Sequence, residues 1–283
     1  MFVFPALVFS QHLLELPYLT LAVRAFFAFS FTASFVYIVN DIADVERDRL
    51  HPKKKYRPIA SGEIRPSEAW LIAAAVLGIV VLLLIGLDWR FVLAVTTYLV
   101  MNLAYSYFLK EVVLIDVFVI AIGFMLRVVG GALVIGVPRS PWLLLTTMFL
   151  SLFLGIAKRR GELVAVRKRE ADTSSEGTVY HTRKVLEHYS VEFAEQMTTI
   201  SAAGFVISYA LYTVSDRTVK VFNTENLILT TPFVLYGVFR YLYLLHKKDL
   251  GESSTDIVLS DIPTIINFIA YAIAMLIVIY IRR

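Results

Sequence analysis

Residues 40–48 read Asn-Asp-Ile-Ala-Asp-Val-Glu-Arg-Asp and follow directly on an apolar run from Leu19 to Val39 whose only charge is Arg24. At about 3.6 residues per turn, Asn40, Asp44 and Asp48 stand on the i, i+4, i+8 row of a helix, with Asp41 close beside it. One helical face then presents a column of oxygen ligands. The column lies near a helix C-terminus, where the macrodipole is already negative and further negative charge is unfavourable. A bound divalent cation would reverse that penalty. All-oxygen ligation without thiolates suits Mg2+, which takes one or two carboxylates and completes its shell with substrate phosphates. The competing reading is a solvated helix end whose aspartates pair with Arg47 and Arg49.

The polar stretch continues as His51-Pro52-Lys53-Lys54-Lys55-Tyr56-Arg57-Pro58-Ile59-Ala60-Ser61-Gly62. Cations this close to a carboxylate column attract a polyanion, the metal binding one part of it and Lys or Arg another. A polybasic patch holding anionic lipid is the alternative for Lys53 to Lys55. Arg57-Pro58 is more specific, because proline fixes its own φ and biases the preceding arginine away from helix. Tyr105-Ser106-Tyr107 and Lys110 close another apolar run, either as the edge of a site or as an aromatic belt with a snorkelling lysine. Arg127 falls eleven residues past Asp116 within an apolar stretch. A charge there is expensive unless it faces a polar cavity, so Arg127 is read as cavity-lining.

Lys158-Arg159-Arg160-Gly161-Glu162 is read as a phosphate-binding cluster, against a local Lys158–Glu162 pair at i, i+4. Arg240, Lys247, Lys248, Asp249, Glu252, Asp256 and Asp261 read mostly as solvated loop charges. None of the five histidines has a zinc-ligand spacing, and no glycine-rich phosphate loop of the nucleotide-hydrolase type occurs.

Positioning these groups falls to membrane helices. The 283-residue chain is 58% hydrophobic with a mean hydropathy of +0.70, well above a soluble domain. It contains no cysteine, which excludes disulfides, thiolate metal sites and cysteine nucleophiles. Apolar runs of spanning length occur at about 19–39, 69–87, 91–108, 112–135, 142–157, 193–214, 227–245 and 262–281. With a short segment at 2–16, these predict nine helices in one polytopic domain, residues 1–283. The short segment is about half a span, so the first helix is expected to begin before this chain does. No cleavable signal is evident at its start.

Connections are short except at about 40–68 and 158–192. On one face the loops carry eighteen Lys and Arg, against six on the other. The positive-inside rule places both long loops in the cytoplasm.

These residues resemble the UbiA-type intramembrane prenyltransferase superfamily. The resemblance rests on Asn40-Asp41-x-x-Asp44-x-x-x-Asp48, Arg57 to Gly62, and Tyr105-Ser106 with Lys110 and Asp116, and it covers essentially the whole chain. It implies an all-α fold of nine transmembrane helices around a central cavity, capped on the cytoplasmic side by the two long loops. It also implies two acidic motifs that bind Mg2+ and a pyrophosphate. Asn40, Asp41, Asp44 and Asp48 match the first. Where the second should bring Asp-x-x-x-Asp, this sequence has Lys158-Arg159-Arg160-Gly161-Glu162.

That departure is similar to the branch that transfers phosphoribose from phosphoribosyl pyrophosphate to decaprenyl phosphate, as are Leu126-Arg127 before Gly130-Gly131 and Tyr189-Ser190. The arginine usual in that branch after the last Asp is Ile262 here. The resemblance implies Asp41, Asp44 and Asp48 as catalytic carboxylates around Mg2+, with Arg57 and Lys110 on the departing pyrophosphate. Lys158, Arg159 and Arg160 would hold the donor's 5-phosphate or the acceptor phosphate, with Tyr105, Arg127 and Glu162 completing the site.

The expected partners are therefore phosphoribosyl pyrophosphate, a polyprenyl phosphate and the bilayer of the cell membrane, with no nucleic acid. Homo-oligomerisation is left open. Prenyl transfer to an aromatic or other small acceptor is the second enzymatic reading, and it calls for a second carboxylate pair. Transport is a third, opposed by an acidic column at the interface rather than on broken helices at the midplane.

Overall fold

A computed structural model describes residues 2–9, 15–50, 54–172, 184–247 and 260–281. They divide into two compact units, one running to Arg139 and taking in Val185, the other beginning at Ser140 and including what is described from Leu186 onward. Among the described residues every regular element is helical. The first unit holds α1 (Pro5–Phe9), α2 (Leu16–Ala43), α3 (Val45–Leu50), α4 (Pro58–Ser61), α5 (Pro66–Leu84), α6 (Trp89–Tyr107) and α7 (Ile115–Val134). The second holds α8 (Pro141–Asp172), α9 (Val191–Val214), α10 (Asp216–Phe222), α11 (Thr231–Lys247) and α12 (Ile262–Leu276).

Among the described residues seven helices, on α2, α5, α7, α8, α9, α11 and α12, are long and apolar enough to cross a membrane, which makes this a multi-pass membrane protein. The remaining long helix, α6, occupies the apolar run predicted at 91–108 but carries Arg90, Asn102 and three tyrosines.

Much of what is described of the two long connections is helical. α8 runs as a helix past the predicted end of its span to Asp172, because Glu162-Leu-Val-Ala-Val-Arg-Lys-Arg-Glu-Ala is a string of good helix formers. Loss of apolarity there ends the span, not the helix. The first connection likewise holds α3, a 3-10 turn at Lys54–Tyr56, and α4.

In the first unit α2 presents Ala22, Ala25, Ala28 and Thr32, all buried, so neighbouring backbones can approach closely, as is usual where membrane helices pack. Phe29 sits edge-on to Phe91 and Tyr98, with centroids 5.8 and 5.5 Å away. Its ring needs Gly130, where a Cβ would lie 2.6 Å from Phe29 Cε2. Gly131 similarly admits the N-terminal segment, since a Cβ there would lie 2.2 Å from the Val3 carbonyl oxygen. Arg24, the one charge in the first predicted span, donates to the carbonyl oxygens of Leu83 and Ile85. It thus satisfies the exposed C-terminal end of α5 and its negative dipole.

In the second unit α8 and α9 pack along much of their lengths over Phe153, Ala157, Ala202, Tyr241 and Leu245. A hydroxyl chain from Thr230 through Tyr209 to Tyr271, at 2.6 and 3.1 Å, ties the turn before α11 to α9 and α12. Asp261 corrects the reading of the late charges as solvated. It is buried, caps α12 by accepting from Thr264 N and Oγ1 at 3.1 and 2.7 Å, and takes a two-pronged ion pair from Arg240 at 2.8 and 3.0 Å. Arg240 foremost, with Thr264, holds the Asp261 carboxyl well below the usual carboxylate range.

Two outcomes follow from this packing. Gly131→Ala is expected to cost about 1–3 kcal/mol by overpacking against backbone and to lower Tm in detergent. Gly78→Ala, whose Cβ meets nothing within 4 Å, should not lower it. A depressed folded pKa gives stability that is present above the unfolded value of about 4 and lost as pH falls toward the folded one. Wild type should therefore lose more Tm between about pH 5 and 3 than Asp261→Asn does.

Candidate active site

The helix carrying the acidic column does not run straight through it. α2 ends at Ala43, and Asp44 leaves helical geometry with φ −96° and ψ 7° before α3 begins. Two backbone bonds nevertheless bridge the break: Asp44 N donates to Asn40 O at 2.9 Å, and Asp48 N donates to Asp44 O at 2.8 Å. The i, i+4 spacing of Asn40, Asp44 and Asp48 is thus kept across a kink.

Arg57 comes to the column from a compact clasp. Pro58 opens α4 and leaves Arg57 extended at φ −63° and ψ 142°, as the Arg-Pro pair predicts. Ile59 and Ala60 are buried, and Gly62 closes the turn at φ +85°, a conformation that favours glycine. One guanidinium nitrogen of Arg57, Nη1, then donates to both Asp41 Oδ1 at 2.8 Å and Asp48 Oδ2 at 2.7 Å. Lys54 Nζ stands 3.8 Å from the other oxygen of Asp48, which is buried.

Asp44 is held from a different side. Lys110, in the 3-10 turn at Leu109–Glu111, donates to both of its carboxylate oxygens at 3.1 and 2.9 Å. Arg47 meets Glu111 of the same turn at 3.3 Å, so two ion pairs of opposite polarity tie this turn to the α2–α3 junction. Three residues on, Leu114 takes φ +67°, a strained conformation for a branched side chain, immediately before α7. Asp116 is completely buried in the first turn of α7, the end of a helix dipole that favours an anion.

The competing reading of the aspartates is thereby corrected. Arg47 turns to Glu111, and Arg49 to Glu46 at 2.9 Å and Ala60 O at 3.3 Å; the column is served instead by Arg57 and Lys110. Among the described residues no three acidic or histidine side chains converge as a ready-made metal cage. The donor set is nonetheless all oxygen, and Arg57 Nη1 already occupies a point of positive charge between oxygens of Asp41 and Asp48. That chemistry fits a hard divalent cation.

Tyr105 is half-buried near the end of α6, while Tyr107 and Phe108 are exposed as an aromatic belt would be. Arg127 stands against aromatic rings: Nη2 donates to Tyr98 OH at 2.7 Å, and the guanidinium lies 5.0 Å over the Tyr98 ring and 6.0 Å from that of Phe124. Asn102 braces the same tyrosine's backbone through its carbonyl at 2.8 Å. Tyr98 is absent from the sequence expectations because its role arises only from the pairing of α6 with α7.

The basic element lies in the second unit, on α8. Glu162 pairs with Arg159 at 2.9 Å rather than with Lys158, because the buried guanidinium at i−3 reaches it directly. Arg160 is also buried; it pairs with Glu195 of α9 at 2.7 Å and donates to Leu245 O of α11 at 3.2 Å. His246 stands 3.7 Å from the same Glu195. Lys158 is exposed and makes no ion pair among the described residues. The element expected to act as one phosphate-binding cluster thus divides into an available lysine, an arginine with a carboxylate beside it, and a structural brace. Lys247 to Asp256 of the late charges lie outside the described side chains.

The model of the UbiA prenyltransferase family matches residues 1–257. The decaprenyl-phosphate phosphoribosyltransferase of Mycolicibacterium smegmatis is 31% identical over 87% of this chain and 76% of its own. That of Corynebacterium glutamicum is 31% identical over 91% and 75%. Among solved structures, a UbiA homologue from Archaeoglobus fulgidus bound to GPP and Mg2+ superposes with a TM-score of 0.67 at 20% identity, over 92% of this chain and 87% of that one. The family match over most of the sequence, the two relatives and the shared helical fold agree: this chain belongs to the UbiA prenyltransferase family.

Proposed function

We propose that the protein transfers phosphoribose from phosphoribosyl pyrophosphate to a polyprenyl phosphate and releases pyrophosphate. The relatives named for that activity support the reaction. The observation that carries the choice of donor is the basic element on α8, whose one carboxylate, Glu162, is engaged by Arg159. An ordinary prenyl donor concentrates its charge in one diphosphate, which two acidic motifs can clamp through metals. Phosphoribosyl pyrophosphate adds a 5-phosphate, and the acceptor adds another phosphate, so the site needs more cations and fewer carboxylates.

Asn40, Asp41, Asp44 and Asp48 would hold Mg2+, in keeping with the cation in the superposed structure. When bound, the ion neutralises charge on the pyrophosphate. Arg57 and Lys110, which hold the carboxylates of this site, turn to the diphosphate oxygens of the donor. The bond from ribose C1 to the pyrophosphate oxygen breaks, with the electron pair leaving on pyrophosphate, and an acceptor phosphate oxygen forms the new bond to C1. An oxocarbenium-like C1 explains why the leaving group must be held so firmly. The acceptor phosphate is largely dianionic near neutrality, its second pKa being about 6, so no general base is required.

Lys158, the exposed side chain of the basic element, is assigned a phosphate, with Arg159 beside it. The column, the Lys110 turn and the basic element face the cytoplasm, on the distribution of Lys and Arg between the two sets of loops. With α6 and a first span that includes α1, the proposed number of spans is nine. The polyprenyl tail remains in the apolar phase, which explains why this chemistry sits on a membrane scaffold.

The test is a pair of reactions with purified protein and Mg2+: phosphoribosyl pyrophosphate with polyprenyl phosphate in one, prenyl pyrophosphate with an aromatic acid in the other. Product in only the second overturns this reading. Asp44→Asn should lower kcat in the first reaction by about a hundredfold or more. The two ends of the basic element should separate: Lys158→Gln raises KM for one phosphorylated substrate by about tenfold with unchanged Tm. Arg160→Gln instead lowers stability, by about 2–3 kcal/mol, because it strands Glu195 and Leu245 O.

A further inference from the structure

Among the described residues, several cations within or bordering the membrane helices are taken up by carboxylates or carbonyl oxygens. Arg24 rests on the carbonyls ending α5, Arg240 on Asp261, Arg159 on Glu162 and Arg160 on Glu195. Arg127 has two aromatic rings and a phenol hydroxyl, and no acidic partner among the described residues. It lies twelve residues into α7, at about 18 Å of helix rise, near the middle of an apolar phase roughly 30 Å thick. A charge at that depth is retained where it meets an opposite charge or water.

The surroundings hold the guanidinium in one place. Phe29 packs edge-on against the Tyr98 ring, Gly130 makes room for Phe29, and Asn102 bonds to the Tyr98 carbonyl. Tyr98 itself is buried, and it accepts a single guanidinium hydrogen through Nη2. An arginine has five donors in a fixed fork. Rings supply attraction to the cation without consuming those donors. The result is a charged fork fixed by neutral groups, the arrangement suited to an incoming oxyanion of matching fork geometry.

We propose that Arg127, positioned by Tyr98, is the receptor for a terminal phosphate monoester: the 5-phosphate of the donor or the phosphate of the lipid acceptor. The proposal rests on the phosphoribosyl-transfer reading and assigns one of its phosphates to a site separate from the acidic column. Arg57 and Lys110 serve the diphosphate, which leaves; Arg127 serves a phosphate that remains in the product.

Two probes lack a pyrophosphate for the acidic column to grip: ribose 5-phosphate and geranyl phosphate. Binding of each to the detergent-purified full chain is measured calorimetrically for wild type, Arg127→Gln and Arg127→Lys. Affinity for at least one probe should fall on the order of tenfold or more in R127Q and recover in part in R127K. The affected probe identifies the donor or the acceptor as the source. Wild type that binds neither probe, or R127Q that binds both as wild type does, overturns the proposal. Should R127Q fail to purify folded, Tyr98→Phe keeps the ring and removes the hydroxyl, and unchanged affinity for both probes in Y98F and R127K overturns it equally. Failure of the transfer reading shows separately, as no product from phosphoribosyl pyrophosphate and polyprenyl phosphate while R127Q still weakens probe binding.

Discussion

Three carboxylates stand at the C-terminal end of an apolar helix, and their mutual repulsion adds to that of the helix dipole. Little of the site could form without cations brought to them from elsewhere in the chain. Arg57 Nη1 stands between Asp41 and Asp48 while Lys110 grips Asp44, and these two side chains come from different connections. The clasp of Pro58 to Gly62 exists to aim one of them; the 3-10 turn at Leu109–Glu111 carries the other. Both act in a setting where partial burial strengthens the attraction beyond that of an exposed pair. The pairs are also exchangeable. On the proposed reaction, a cation that balances a carboxylate in the free protein would balance a diphosphate once a metal held the carboxylate, so the site would change ligands without uncompensated charge.

The same rule sorts the other charges. Arg24 and Asp261 looked like an isolated intramembrane charge and a loop charge, yet each completes the end of a helix, one by accepting burial among the last carbonyls of α5 and the other by capping α12. Arg160 joins three helices of the second unit through Glu195 and Leu245 O. Such groups spend their hydrogen-bonding capacity on the fold. Lys158, exposed, and Arg127, fixed by neutral rings, have no acidic partner among the described residues.

Much of this was legible in the residues. Runs of some twenty apolar residues mark membrane helices whatever their packing, and each predicted span from 19–39 onward coincides with a helix. Asn40, Asp44 and Asp48 were legible because local backbone bonds set their spacing, and the spacing survives the kink at Asp44. Arg57-Pro58 was legible because proline acts on its immediate neighbour. The long connections were misread, since a polar sequence can remain helical outside the apolar phase, as α8 does to Asp172. Partners remote in sequence were not legible at all: Asp44 with Lys110, Arg47 with Glu111, Arg160 with Glu195 and Arg127 with Tyr98 are chosen by which helices pack together. Even the local pair was mistaken, because burial of Arg159 decided the partner of Glu162 over the i, i+4 rule.

The resemblance implies paired acidic motifs, and this sequence has Lys158-Arg159-Arg160-Gly161-Glu162 where the second would stand; on the proposed reaction, counting phosphates accounts for the difference. Each acidic motif recruits a metal, and each metal is useful only where phosphoryl oxygens gather densely enough to share it. A diphosphate does so; a lone phosphate monoester is matched as well by a guanidinium or an ammonium, which need no free metal and fix their own geometry. On the proposed reaction, Lys158 and Arg159 in place of a second acidic motif would leave metal chemistry to the group that departs and offer permanent cations to single phosphates that stay. In the proposed donor the negative charge is divided between a diphosphate and a separate monoester; carboxylates with a metal suit the first as fixed cations suit the second.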